Sequence, residues 1–314
     1  MESSRETKAK KIMKDSKIIC CKLYISESRN TSALEAIERA SRIDPEAVIV
    51  NKFQDRPYNR VRYTLVSYLV HDVSAGITYS PMRQTLLSMV EAAFAAINLE
   101  THSGTHPRIG VVDHIGFHPL AHATLEDAAQ LAKLVASDIG NGLQVPVFLY
   151  EAAHPNGKAL DEIRRQLGYY RPNHMGNQWA GWDFPEILPE RPDVGPAHVT
   201  RARGITVIGA SPWVYTYNVP VMSTDVPTVR RIARMVSGRG GGLPTVQTLA
   251  LVHGDDSTEI ACMLLDPSTV GADRLQSQVE LIAAEEGLEV EKGYFTDISQ
   301  DMMLERYTKL VSSG

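Results

Sequence analysis

Half of the ten histidines in this chain, His102, His106, His114, His118 and His122, fall between Thr101 and Ala123, in THSGTHPRIGVVDHIGFHPLAHA. Metal binding, proton transfer and plain structural use all fit that crowding. Spacings of four would align the rings on one face of a helix. Pro107, Pro119 and the glycines at 104, 110 and 116 break any long helix. In a strand, His114, His118 and His122 would share a face while spreading over more than about 10 Å, too far for one compact metal site. No H-E-x-x-H or C-x-x-C spacing occurs, so no metal is expected. Proton transfer remains for HPRIG: Pro107 restricts His106, Gly110 permits close approach, and Arg108 supplies a fixed cation. For each other histidine a structural or lining role is the expectation.

These side chains sit in a chain of 314 residues, 43% apolar and 22% charged, with a formal charge of -5. That balance fits a water-soluble globular protein of two domains and argues against nucleic-acid or membrane-surface binding. Cys20, Cys21 and Cys262 are too few and too badly spaced for a disulfide framework. No run of about 20 apolar residues offers a membrane span. Residues 1–16 are polar and Lys-rich and read as a flexible tail without a secretory core. A cytoplasmic protein is expected.

Hydrophobic periodicity predicts the elements that must carry the histidines. KIICCKLYI reads as a strand, TSALEAIERASRI as a helix, AVIVNKF and RVRYTLVSYLV as strands, and 82–99 as a helix. A strand RIGVVDHIGF, a helix LEDAAQLAKLVASDIG, a strand VPVFLY and a short helix GKALDEIRRQL follow. Periodicity then fails between Gly168 and Gly195, which sets the domain boundary there, with subdomains 17–194 and 195–314. ITVIGA, WVYTYNVPV, PTVQTLALVH, TEIACMLLD and LEVEKGYF read as strands of the second half, with helices VPTVRRIARMVS and RLQSQVELIAAEEG among them. The similar element order permits an old duplication. SGRGGGLP lacks the Lys-Ser/Thr of a phosphate loop and follows a helix, so it reads as an exposed connection. The fold class is α/β (α+β).

Several stretches together resemble the glutamate formiminotransferase family, the folate-dependent part of formiminotransferase-cyclodeaminase. They are CKLYISESRN, YNRVRYTLV, HSGTHPRIGVVD, VPVFLYEAA, PDVGPAHVTRARGITVIGA, YNVPVMST and CMLLD, in that order, over residues 17 to 298. The resemblance implies two ferredoxin-like subdomains, each a mixed sheet with helices on one face, meeting at a ligand-binding groove. It implies a divergent member without the cyclodeaminase domain, and carries over a homodimer. It makes His106 the acid/base catalyst. Tetrahydrofolate becomes the cosubstrate, and a small amino-acid-derived donor, N-formiminoglutamate, the other partner.

The same resemblance places the ligand contacts at Asn59, Arg60, Arg108 and Asp113, and along Gly195, Pro196, Ala197, His198, Val199, Thr200, Arg201, Ala202, Arg203 and Gly204. Guanidinium forks suit carboxylates, which is the chemistry expected of the arginines. Four positions depart from the family pattern: Ser28 for a glycine, Phe53 for an aspartate, Ser211 for an arginine and Met263 for an asparagine. The changes leave two expectations, an active formimino transferase and a non-catalytic relative that binds folate or another anionic small molecule.

Overall fold

Lys17–Ile25 forms a strand, β1, because it is a nearly continuous apolar, β-favouring run buried on both faces. Ile19, Cys21, Leu23 and Ile25 enter one core, whereas Lys22 and Tyr24 face the other side. The computed structural model describes residues 16–72, 77–183, 185 and 187–313. The tail expected at 1–16 lies outside the described residues, apart from Ser16.

After β1 come α1 (Thr31–Ala40), β2 (Val48–Asp55), β3 (Arg60–Asp72), β4 (Ile77–Tyr79) and α2 (Pro81–Ala96). Next are β5 (Ser103–Gly104), β6 (Val112–Pro119), α3 (Leu125–Ser137), β7 (Val147–Glu151), α4 (Leu160–Gln166), β8 (Trp179–Ala180) and β9 (Thr206–Ala210). The chain continues through β10 (Tyr215–Val221), α5 (Val226–Val236), β11 (Val246–Val252), β12 (Thr258–Leu264), α6 (Ala272–Glu285), β13 (Tyr294–Phe295) and α7 (Gln300–Ser313).

Contacts divide these elements into two units. Of the described residues, the first holds those up to 174, those within 178–211 and 299–313; the second holds 175–177 and 212–298. The boundary expected at 194/195 is thus displaced to 211/212. The cause is β9, which is hydrogen-bonded in parallel between β6 and β7 and so belongs to the first sheet. The C-terminal residues, expected in the second subdomain, return to the first unit as α7.

The first sheet runs β2-β3-β1-β6-β9-β7, with β4 beside β3. Its β2 to β6 neighbours are antiparallel and its last two pairings parallel, so the sheet is mixed. Ala33, Leu34 and Ile37 of α1, with Leu86, Met89 and Val90 of α2 and Leu131, Ala132 and Val135 of α3, cover the apolar face. Asn30 caps α1 through Ala33 N, and Thr124 and Asp127 form a reciprocal capping box on α3. Helices were expected on one face only. However, α7 packs on the other, where Met303 meets Cys20 Sγ at 3.9 Å and Arg306 donates to the Val50 carbonyl.

The second unit is β10-α5-β11-β12-α6-β13 in the order β11-β12-β10-β13. Every pairing is antiparallel, so this sheet is not mixed as expected. The sequence LEVEKGYF yields only β13 and an isolated bridge from Val290 to Val221. Val229, Ile232 and Val236 of α5 and Leu275, Val279 and Ile282 of α6 pack on Val219, Ile260 and Leu264. This is the ferredoxin-like βαββαβ plan. The first four elements of the larger sheet, β2-β3-β1-β6, repeat it.

Residues 109–111 and 203–205 lie backbone against backbone, through Val111 N to Arg203 O (2.9 Å) and Ile205 N to Ile109 O (2.8 Å). A Cβ on Gly110 would collide with the Ile205 carbonyl, and Gly204 holds a left-handed φ of 74°. Replacing Gly110 with alanine is expected to cost about 1–3 kcal/mol in urea unfolding. Gly142→Ala, whose new methyl meets nothing within 4 Å, should change stability by less than about 0.5 kcal/mol.

Candidate functional site

The segment between β5 and β6 carries His106, and its backbone is held by side chains rather than by a ladder. His106 Nδ1 lies 2.8 Å from the Pro107 carbonyl. A carbonyl only accepts, so Nδ1 carries the proton and Nε2 presents its lone pair. Among the described residues no protein group hydrogen-bonds Nε2. The ring is half-buried and packs edge-on against Tyr58 (5.2 Å) and Tyr169 (6.4 Å). Burial, then the charge of Arg60, holds its pKa well below the ordinary imidazole value. His106 is therefore a neutral base of defined tautomer at pH 7.

Arg60 builds this geometry from β3. One terminal nitrogen donates to the Pro107 carbonyl (2.9 Å) and the other to Asp113 Oδ2 (2.9 Å). Asp113, fully buried on β6, also accepts from Ile109 N at 2.7 Å. Asn59 precedes Arg60 at a positive φ of 52°, which turns its amide to Ser103 O (2.8 Å) and Ser28 N (2.8 Å). The structure thus brings together Asn59, Arg60, Asp113 and His106.

Arg108, expected to meet a ligand carboxylate, points inward. Its terminal nitrogens donate to the carbonyls of Trp179 (2.6 Å), Gly104 (2.9 Å) and His102 (3.3 Å). Its Nε is buried without a hydrogen-bond partner. Burial, with Arg60 adding to it, pushes the guanidinium pKa down to about 9. A ligand would have to displace those carbonyls to reach the fork.

The stretch from Gly195 to Gly204 abuts the same loop. Gly195 and Gly204 adopt left-handed φ angles, 89° and 74°. Pro196 is half-buried, Ala197, His198 and Thr200 are exposed, and Val199 is buried. Arg201 pairs with Glu100 at 3.2 Å on the surface, Ala202 O accepts from Leu99 N (2.8 Å), and Arg203 stacks over Phe94 and donates to Leu143 O (3.0 Å).

The other histidines divide by environment. His114 and His118 lie on the β6 face shared with Tyr24 and Cys20, their register partners. His114 stacks on Tyr24 and meets the Tyr150 hydroxyl at 2.9 Å; burial, then Arg164, lowers its pKa far below 6.5. His118 Nδ1 sits 3.3 Å from the Ser211 hydroxyl. His122 adopts a positive φ of 56° after β6. His102 is buried with neither ring nitrogen hydrogen-bonded.

The departing positions have visible consequences. Phe53 lies opposite Arg62 and under its guanidinium at 5.6 Å, an aromatic face at the position where the resemblance implies a carboxylate. Asp55 accepts from Tyr58 N (2.8 Å) and shapes the turn before Arg60. Ser28 donates its hydroxyl to Asp55 O at 2.6 Å. Ser211 lies beside Glu151, whose pKa burial raises to about 7. Met263 is a half-buried residue of β12 in the second unit.

Sequence reasoning missed Tyr58, Tyr169 and Arg164. Arg164 reaches Asp113 at 3.8 Å and covers the Tyr169 ring at 4.5 Å. The spacing of RRQLGYY, a paired arginine before a paired tyrosine, is the signal that could have drawn them in.

A repeated split-βαβ sheet carrying a buried arginine and carboxylate beside one neutral histidine defines an α+β protein with a polar, charge-paired cluster at the His106 loop. Residues 18–211 match the family model for the formiminotransferase domain, N-terminal subdomain, and the chain belongs to that family. It is 51% identical to a formiminotransferase cyclodeaminase-like protein of Arabidopsis thaliana, over 94% of this chain and 98% of that one. It is 26% identical to a glutamate formimidoyltransferase of Streptococcus pyogenes serotype M1, over 76% and 74%. A formimidoyltransferase-cyclodeaminase of Sus scrofa is 29% identical, over 82% of this chain and 45% of the larger protein. No helix among the described residues is long and apolar enough to cross a membrane.

Burial, then Arg108 and Arg60, lowers His102 to about 3. Unfolding restores a value near 6.5, so the stability from keeping this ring neutral is complete above that pH and drains away as pH falls toward 3. Between pH 7.5 and 5 the wild type should lose about 2 kcal/mol more than His102→Asn in denaturant titrations.

Proposed function

We propose that the protein moves a formimino group from N-formiminoglutamate to N5 of tetrahydrofolate, with His106 as general base and then acid. The supporting observation is the His106 ring itself, its Nδ1 proton committed to the Pro107 carbonyl and its Nε2 left open. As the pterin amine attacks the amidine carbon, Nε2 takes the amine proton. The tetrahedral adduct then expels glutamate as the imidazolium returns that proton to the departing nitrogen. A depressed imidazole pKa makes the imidazolium a strong acid, which favours the second transfer.

Charge around the ring fits an anionic substrate pair. Arg60 and Arg164 pair with one buried carboxylate, Asp113, and together with Arg108 on the loop carbonyls they leave the surroundings of His106 net positive. Asn59, Arg60 and Asp113 hold the loop, Arg108 clamps it from behind, and the stretch from Gly195 to Gly204 contributes the folate-facing surface. Tetrahydrofolate is a substrate in this reading, and no metal takes part.

Phe53 under Arg62 and Ser211 beside His118 favour the other reading, binding without turnover. Incubation with formiminoglutamate and tetrahydrofolate, following the formimino-folate product while calorimetry reports folate binding, separates the two. Turnover supports transfer; binding with no product retires it. His106→Ala is expected to lower kcat by about 10²- to 10⁴-fold with folate affinity within a few fold. The depressed pKa keeps the base unprotonated, so wild-type kcat/KM should stay level from pH 8 down to about 6.5 and decline only below it.

A further inference from the structure

Three guanidinium groups surround Asp113 and the His106 loop, and their donors are used differently. Arg60 spends both terminal nitrogens, on Pro107 O and on Asp113. Arg108 spends its own on loop carbonyls. The Arg164 guanidinium makes no hydrogen bond to any described residue. It is held by the Tyr169 ring at 4.5 Å and by a loose 3.8 Å pairing with Asp113, a carboxylate already engaged by Arg60. Its Nε is sealed without a hydrogen-bond partner, while the side chain as a whole keeps 12% exposure. A guanidinium so desolvated and so little bonded carries an unmet demand for an anion.

Tyr169 ties this cation to the chemistry. The same ring that supports Arg164 packs edge-on against His106 at 6.4 Å and reaches Asp113 through its hydroxyl at 3.5 Å. Imidazole and guanidinium thus border one aromatic side chain. In an extended dicarboxylic amino acid the distal carboxyl carbon stands about 5 Å from the nitrogen. A donor nitrogen at His106 Nε2 can therefore extend its far end past Tyr169 toward Arg164.

We propose that Arg164 is the specificity residue for the donor, its terminal nitrogens receiving the side-chain carboxylate of the N-formimino amino acid. The proposal rests on the transferase reading above and adds to it the identity of the group that selects glutamate-type donors. Tyr169 acts as a positioning residue that keeps the guanidinium in place. A distal amide in the same place offers no charge to pair with Arg164, and that difference is the origin of selectivity.

The experiment compares N-formiminoglutamate with N-formiminoglutamine as donors for the full-length protein, alongside Arg164→Gln and Arg164→Lys. Wild type should prefer the carboxylate donor by about 10- to 100-fold in kcat/KM, with the difference mainly in KM. Arg164→Gln should lose that preference through a raised KM for the carboxylate donor, and Arg164→Lys should retain part of it. An Arg164→Gln protein that still discriminates as wild type does overturns the assignment while leaving formimino transfer standing.

If wild type transfers nothing to folate, the transferase reading fails by itself, and the fork is judged by binding alone. Ligand-observed NMR then compares L-glutamate with L-glutamine on wild type and Arg164→Gln. Preferential glutamate binding that disappears in the variant upholds the carboxylate site, and equal binding of the two in wild type overturns it. Thermal unfolding of each variant, matched to wild type within a few degrees, identifies a loss through ligand contact; a large drop with both donors impaired equally assigns Arg164 to structure and overturns the proposal.

Discussion

One backbone carbonyl, that of Pro107, organises the site. It receives His106 Nδ1 at 2.8 Å and an Arg60 terminal nitrogen at 2.9 Å. The first contact sets the tautomer, and the second ties the loop to β3. Arg60 then binds Asp113, and Asp113 accepts the amide of Ile109, so the loop closes on itself in a ring of charge-assisted hydrogen bonds. From behind, Arg108 supports the same turn through the carbonyls of Gly104 and Trp179. Its buried charge is dispersed over several backbone dipoles instead of one carboxylate, which leaves Asp113 to the other arginines. A neutral imidazole inside this cationic frame follows from the electrostatics without any contribution from a bound ion.

The sheet beneath has two opposed surfaces, and the alternation within β1 makes the division visible. Cys21 and Leu23 meet the helices, whereas Lys22 and Tyr24 stand across from Thr64, Gly116, Arg62 and His114 on the polar side. Tyr150 crosses this polar side over two residues without side chains; a Cβ on Gly116 would approach its hydroxyl to 3.0 Å, and one on Gly209 would enter its ring. The histidine-rich sequence is therefore shared between the His106 loop and a strand whose imidazoles line a polar sheet face.

Much of this was legible before any coordinates. Strong periodicity marked α2, α3, α5 and α6, because each buries one face against a continuous core, and an unbroken apolar, β-favouring run marked β1. Pro107 and Gly110 singled out His106 because restricted backbone is a local property. What eluded the sequence were effects of long-range pairing. The displacement of the domain boundary depends on β9 inserting between β6 and β7, a choice invisible in ITVIGA itself. Arg108 was read as a ligand cation, yet its partners are carbonyls as distant as Trp179, and guanidinium chemistry alone does not distinguish a carboxylate from a cluster of carbonyls. Arg164 and Tyr169 escaped for the same reason, since their meeting with Asp113 spans about fifty residues. The weakly amphipathic C-terminal helix carried little pattern to announce its return to the first sheet.

That return also governs the order in which the protein can be completed. Met303, Arg306 and Tyr307 contact Cys20, Val50 and Glu46, so strands made early in synthesis await residues translated more than about 250 positions later. Until then a row of strand surface stays uncovered, and contacts of such high sequence separation slow folding and prolong exposure to aggregation. Nascent chains that have not yet reached α7 therefore depend on chaperones, and a change within α7 bears directly on the first strands of the sheet.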